Sequence, residues 1–374
     1  MLANASPGAF KFGPDQDDTH HITPLASSTA MFTKLMAPLF RRRTPQPPAS
    51  SVTSTPVAAA AIAESDVPPE IPAVAEPPVD PLVEWQEEFT RRLGRWREAA
   101  GELRSTPDAA ALIELLGQSS EFVIRQLPAA AREAIAYCDE ANISRAHLAG
   151  RLGRDPALVQ SLLRTANSAA MSAGRQPVLG LNGAIERIGV TSTRTVVLAN
   201  CVDGLLSRPG YPYETMVGSV WEHMIRTGQI ARTTAGAFEV DQEEAFSVAL
   251  LHDVGKLVVF DQLSALRNQL RRPVIVPVAW LGALLQGVHE PLGALASLRW
   301  SMGARAAAAI GEHHRYRVDV GENMLAECIF TSERADHANR RGEPIDIDAV
   351  FQSGRLSGSR IRASQALEKI SSAA

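Results

Sequence analysis

A histidine and an aspartate stand side by side at His252 and Asp253, closing the apolar run Ala249-Leu250-Leu251, and Gly255 and Lys256 follow at once. Adjacent His and Asp side chains reach one cation only where the backbone turns, and Gly255 permits such a turn. Other histidines gather in the same half of the chain. His223 lies in Val220-Trp221-Glu222-His223, His289 lies in Gly287-Val288-His289-Glu290, and His313 and His314 are consecutive. Asp336 lies in Arg334-Ala335-Asp336-His337. Neutral imidazoles mixed with carboxylates suit iron, manganese, zinc or nickel. A cation so held acidifies water and grips a phosphate oxygen, which is the chemistry of phosphoester hydrolysis. Each residue also has a plainer reading. A single histidine on a partly apolar helix is more often a hydrogen-bonded core residue than a ligand. His313-His314 could end a helix where positive charge suits the dipole. Asp336 could be a surface acid, and Lys256 could be solvated beyond a Gly255 C-cap.

Bringing these residues together calls for helices, since bundles commonly build such sites from the inner faces of several helices. Leu82, Trp85, Phe89, Leu93 and Trp96 recur at steps of three and four, one helical face. Asp108 is placed to cap a second helix carrying Leu112, Ile113, Leu115 and Leu116. These first helices could pack on the main domain or pair with another copy. Pro128 opens a helix reaching about Ala141, and Ser144 caps one ending near Gly153. Asp155-Pro156 is an N-cap carboxylate followed by proline at the first helical position. Further helices are predicted around Ala184 to Gly189, from Thr191 to about Leu206, and from about Glu214 to Phe238. Asp241 caps another, with Glu244 completing a capping box. No stretch alternates convincingly in the manner of a strand. The expectation is an all-α domain over residues 118–345, with N-terminal helices over 82–117 and a tail over 346–374. The tail is expected to hold one weak helix, Ala363 to Ile370.

Residues 1–81 read as a disordered N-terminal arm and linker. Thr44 to Pro81 is rich in Pro, Ala, Ser and Val and cannot bury enough apolar surface to offset its ordering entropy. A basic-apolar piece from Met31 to Arg43 suits a solvated tail or contact with anionic lipid. Translation from Met31 in place of Met1 is an open alternative.

Composition excludes several classes. The chain has 374 residues, 45% of them apolar, so it can bury a sizeable core. Its net charge is −4, unlike a generic nucleic-acid binder. Cys138, Cys201 and Cys328 are scattered and odd in number, without metal-type spacing or a disulfide framework, which fits a reducing cytoplasm. No apolar run approaches about 18 residues, which argues against stable membrane insertion. The N-terminus lacks the basic-then-apolar order of a secretory signal.

Several phrases carry a family resemblance. They are Asp155-Pro156-Ala157-Leu158; Leu162-Leu163-Arg164-Thr165-Ala166-Asn167-Ser168-Ala169; Ala184-Ile185-Glu186-Arg187-Ile188-Gly189; and Leu250-Leu251-His252-Asp253-Val254-Gly255-Lys256. Leu127-Pro128, and His289 with Leu292-Gly293 and Trp300, add to them. The run from about Leu127 to His314 resembles an HDOD domain, the HD-related output domain of bacterial signalling proteins. The resemblance implies an all-α fold related to HD phosphohydrolases and a role in bacterial signal transduction, usually without catalysis. The wider HD pattern of His, His-Asp and a distant Asp as metal ligands falls on His223, His252, Asp253 and Asp336. The related HD-GYP branch, which hydrolyses cyclic di-GMP, has further histidines that fall on His289 and on His313 or His314. Its lysine falls on Lys256. The Gly-Tyr-Pro phrase which that branch has soon after its paired histidines is absent from that place, where His313-His314-Arg315-Tyr316-Arg317-Val318-Asp319 stands, and this speaks against cyclic di-GMP hydrolysis.

Two functions are therefore expected in competition. The first is a non-catalytic interaction or output module whose partners are other signalling proteins. Asn167 and Ser168 would then be structural, closing a helix end through bonds to backbone. The second is a metal-dependent phosphohydrolase for a cyclic nucleotide or other phosphoester. It would hold iron or manganese on the histidine set, with Lys256 as the catalytic group on the substrate phosphate. A pocket that binds a nucleotide second messenger without cutting it stands between the two.

Overall fold

Local capping chemistry decides where the helices begin. A computed structural model describes residues 80–100, 106–118, 123–138, 143–172, 175–205, 213–315 and 320–371, and all regular structure among them is helical. The expected arm therefore lies outside the described residues, apart from its last two. The helices are α1 (Pro81–Ala100), α2 (Pro107–Leu116), α3 (Ala129–Tyr137), α4 (Arg145–Leu152), α5 (Pro156–Ala166), α6 (Ala169–Ser172), α7 (Leu181–Ile188) and α8 (Val190–Leu205). They continue as α9 (Glu214–Thr234), α10 (Gln242–Leu250), α11 (Val254–Leu270), α12 (Val278–Arg299), α13 (Ala304–Gly311), α14 (Met324–Arg341), α15 (Ile347–Gly354) and α16 (Arg360–Ser371).

Asp155 caps α5 by accepting from the N–H groups of Ala157 and Leu158, and Asp241 caps α10 through Glu243 and Glu244. Ser144 caps α4. At α2 the cap is Thr106, whose hydroxyl accepts from Ala109 N. Asp108, expected in that role, instead takes Arg272 and the Ile275 N–H. The Asn167 amide bonds to backbone as expected of a structural residue, but at Val178 and not at the end of its own helix. It clasps Val178 across the loop after α6, donating to its carbonyl at 2.8 Å and accepting its N–H at 2.7 Å. The C-terminal stretch forms two helices, α15 and α16, where one weak helix was expected.

Packing divides the labour. Helices α3, α4, α5, α7 and α8 pack among themselves, with α5 against α7 and α8 against both α3 and α5. In the other half α9 lies between α10 and α14, α11 lies along α12, and α12 also receives α13 and α1. One continuous apolar core joins the halves, from Phe89 on α1 to Ala363 on α16. None of the described helices is long and apolar enough to cross a membrane.

Candidate metal centre

The bend that the His-Asp pair needs is present, but Gly255 does not make it. Residues 251–253 form a turn between α10 and α11, and Gly255 lies inside the first turn of α11. Its missing side chain serves packing. A Cβ there would stand 2.0 Å from the His289 carbonyl oxygen and 2.8 Å from Gly293 N. Backbone thus lies directly on backbone, and Asp253 is brought beside His289 of α12.

Around Asp253 the histidines converge. Its Oδ2 is 3.7 Å from His223 Nε2 and 3.6 Å from His252 Nε2. Its Oδ1 is 3.5 Å from His289 Nε2 and 3.9 Å from His313 Nε2. The carboxylate therefore spans two histidine groups. Between imidazoles the Nε2–Nε2 distances are 3.2 Å for His252 and His223, 3.3 Å for His289 and His313, and 3.0 Å for His314 and His289. Helix α14 supplies Glu333, grouped with His252 and His313 and again with His223 and His337. No side chain among His223, His252, Asp253, His289, His313, His314 and Glu333 is more than 8% exposed.

The orientation of the imidazoles is set from behind. His252, His289 and His313 place Nδ1 against the carbonyls of Ala249, Leu285 and Ile310 at 2.6, 2.8 and 2.6 Å. His223 places Nδ1 against Asp336 Oδ2 at 2.7 Å. A carbonyl or carboxylate only accepts, so Nδ1 carries the hydrogen and Nε2 of the neutral ring keeps its lone pair. Burial holds His252, His289 and His313 below the ordinary histidine range and pushes His314 down to about 3. The rings of His289 and His313 are thus neutral, and their Nε2 lone pairs face each other at 3.3 Å. Burial opposes ionisation of Asp253, but the Lys256 ammonium, with Nζ 2.7 Å from Oδ2, holds its carboxyl well below the usual carboxylate range.

Two buried carboxylate oxygens, Asp253 Oδ1 and Glu333 Oε2, have no hydrogen-bond partner. Lone pairs opposed to lone pairs, beside anionic oxygens without donors, are what a cation relieves. The donor set of imidazole nitrogens and carboxylate oxygens fits iron or manganese. His223, His252 and Asp253 would hold one position, and His289, His313 and His314 a second that shares Asp253. When bound, such an ion would acidify water and polarise a phosphate oxygen.

The structure brings His223, His252, Asp253, His289 and His313 together, and His314 stands with them. Asp336 lies behind His223, its oxygens taken by His223 Nδ1 and by Arg226 Nε at 2.6 Å. It orients a histidine and does not face the cluster. Lys256 is held by Asp253 at the edge of the cluster. Glu333 and His337 were missed, although they share one face of α14 with Asp336 at positions i, i+3 and i+4.

The HDOD domain profile matches residues 124–316. No functionally curated protein matches the sequence. Among solved structures, the fold is similar to that of a Marinobacter aquaeolei protein provisionally named for signal transduction, with TM-score 0.52 and 18% identity over 78% of this chain and 63% of that one. It is also similar to an HDOD domain protein of unknown function from Geobacter sulfurreducens, with TM-score 0.50 and 18% identity over 72% and 94% of the two chains. A Shewanella amazonensis protein provisionally named a phosphohydrolase gives TM-score 0.50 and 19% identity over 71% and 95%. At these identities the likeness is one of fold.

Proposed function

Because the chain belongs to the HDOD family, we propose that it is a bacterial signal-transduction protein whose HDOD domain holds a divalent metal centre and acts as a regulatory module without turnover. The observation that carries the metal is the cluster itself, with imidazole nitrogens 3.0–3.3 Å apart and two buried carboxylate oxygens lacking donors. The absence of turnover is supported by closure. The candidate ligands are buried, the lysine expected to meet a phosphate is engaged with Asp253, and no Gly-Tyr-Pro phrase follows His313-His314, the one in the chain lying upstream at Gly210-Tyr211-Pro212. Its partners would be other signalling proteins of the cytoplasm.

Phosphoester hydrolysis remains the second reading, and Lys256 favours it. Its side chain is 12% exposed, and a swing away from Asp253 would bring Nζ to a phosphate beside the cluster. One experiment separates the readings. Full-length protein purified without chelator is assayed for iron and manganese and offered cyclic dinucleotides, nucleotides and simple phosphomonoesters. The expected result is bound metal, its loss in His252→Ala, and no hydrolysis. Metal-free wild type overturns the proposal. Hydrolysis at about 1 s⁻¹ or faster, the lower end of ordinary enzymes, replaces it with the second reading.

A further inference from the structure

Helix α1 precedes the matched HDOD segment, yet three of its side chains reach within two residues of cluster histidines. Trp85 covers Gly311, two residues before His313, so closely that a Cβ there would fall 2.1 Å from the indole. Trp96 covers Gly287, two residues before His289, where a Cβ would fall 2.8 Å from its ring. Between them Arg92 Nη1 pairs with Glu290 Oε2 at 2.7 Å, and the Glu290 side chain is 2% exposed. The other oxygen, Glu290 Oε1, accepts the main-chain N–H of His314 at 3.1 Å. His314 lies in the turn beyond α13, outside any helical ladder.

We propose that Arg92 is a positioning residue of the metal centre, acting through Glu290 on His314, and that α1 thereby regulates how tightly the His289–His313–His314 half holds its cation. The proposal rests on the metal-binding reading above. Without Arg92, Glu290 becomes a buried carboxylate lacking its cation, which costs too much to leave in place. It must turn toward water, and the His314 N–H loses its acceptor. Displacing α1 from α12 would have the same effect, loosening one half of the centre and sparing the His223–His252 half. Signals arriving N-terminal to the family domain would then be read out as metal affinity.

The test is a Co²⁺ titration of metal-free, full-length protein followed by visible absorption, with folding checked by circular dichroism. Arg92→Met is expected to weaken part of the Co²⁺ binding by roughly 10–100-fold, the usual cost of losing an outer partner of a metal ligand, and to alter the spectrum. Glu290→Met, which removes the acceptor of the His314 N–H, should do likewise. On the Glu290→Met background, Arg92→Met should add nothing. Arg92→Lys, which keeps a charge against Glu290, should restore most of the affinity and decides the matter where Arg92→Met fails to fold. Arg91→Ala, at a neighbour on the exposed side that pairs with Glu88, should bind as wild type does. Wild-type affinity in Arg92→Met, additive losses in the double variant, or an Arg92→Lys protein as weak as Glu290→Met each overturn this role alone. Wild type that takes up no Co²⁺ overturns it together with the metal reading.

Discussion

Glu333 brings a carboxylate into a place where nothing donates a hydrogen bond to its Oε2. In metal-free protein that oxygen is a liability, and with a cation it becomes a ligand. Glu333→Gln should therefore stabilise the metal-free protein by about 1–3 kcal/mol, the cost of a buried group left unsatisfied. The same change should weaken Mn²⁺ binding. Thermal melts with and without Mn²⁺ check both signs, and a lower melting temperature in metal-free Glu333→Gln would sink the argument. At this scale the sequence was informative about identity. His252-Asp253, His289 and His313-His314 stand out because several side chains of one chemistry lie in one half of the chain. It could not choose between Glu333 and Asp336. Both lie on one face of α14, and only the packing of α9 decides that Asp336 is claimed by His223 and Arg226. That claim is a long-range contact and leaves no local mark.

Between elements, the closest approach at the centre is that of α11 to α12. Gly255→Ala would drive a methyl group into the His289 carbonyl, and neither backbone has room to move aside. Overpacking of this kind costs about 1–3 kcal/mol, and the displaced Asp253 should lose its position between the histidine groups. Urea unfolding and metal content measure the two effects, and an unchanged midpoint with full metal content would show that the helices separate freely. Helix starts at Ser144, Asp155 and Asp241 were readable because a cap is local chemistry, settled within three residues. The role of Gly255 was not readable, because the atom that forbids a side chain there belongs to a residue 34 positions away, His289. Reading the glycine as a turn was the local answer to a question that tertiary packing settles.

Across the molecule, the first two helices belong to the same core as the family domain, an outcome the sequence left open against pairing with a second copy. Asp108 contributes to that union. It joins α2 to the connection between α11 and α12 through Arg272 and the Ile275 N–H. The hydrogen bonds from Arg272 outweigh burial and hold the Asp108 carboxyl below its ordinary value of 3.8. A group depressed on folding stabilises above its unfolded pKa and loses that contribution as pH falls through the folded value. Asp108→Asn should therefore cost about 1–2 kcal/mol at pH 7, and the difference from wild type should shrink steadily below about pH 4. Denaturant curves at pH 7, 4 and 3 follow it, and a difference that stayed constant would assign the loss to shape and not to charge. The burial of the cluster, described above as a matter of distances, also governs time. With no candidate ligand side chain more than 8% exposed, an ion bound there would exchange only when neighbouring helices part. Occupancy would then record which ions surrounded the chain while it folded, and would respond slowly to those around it afterwards.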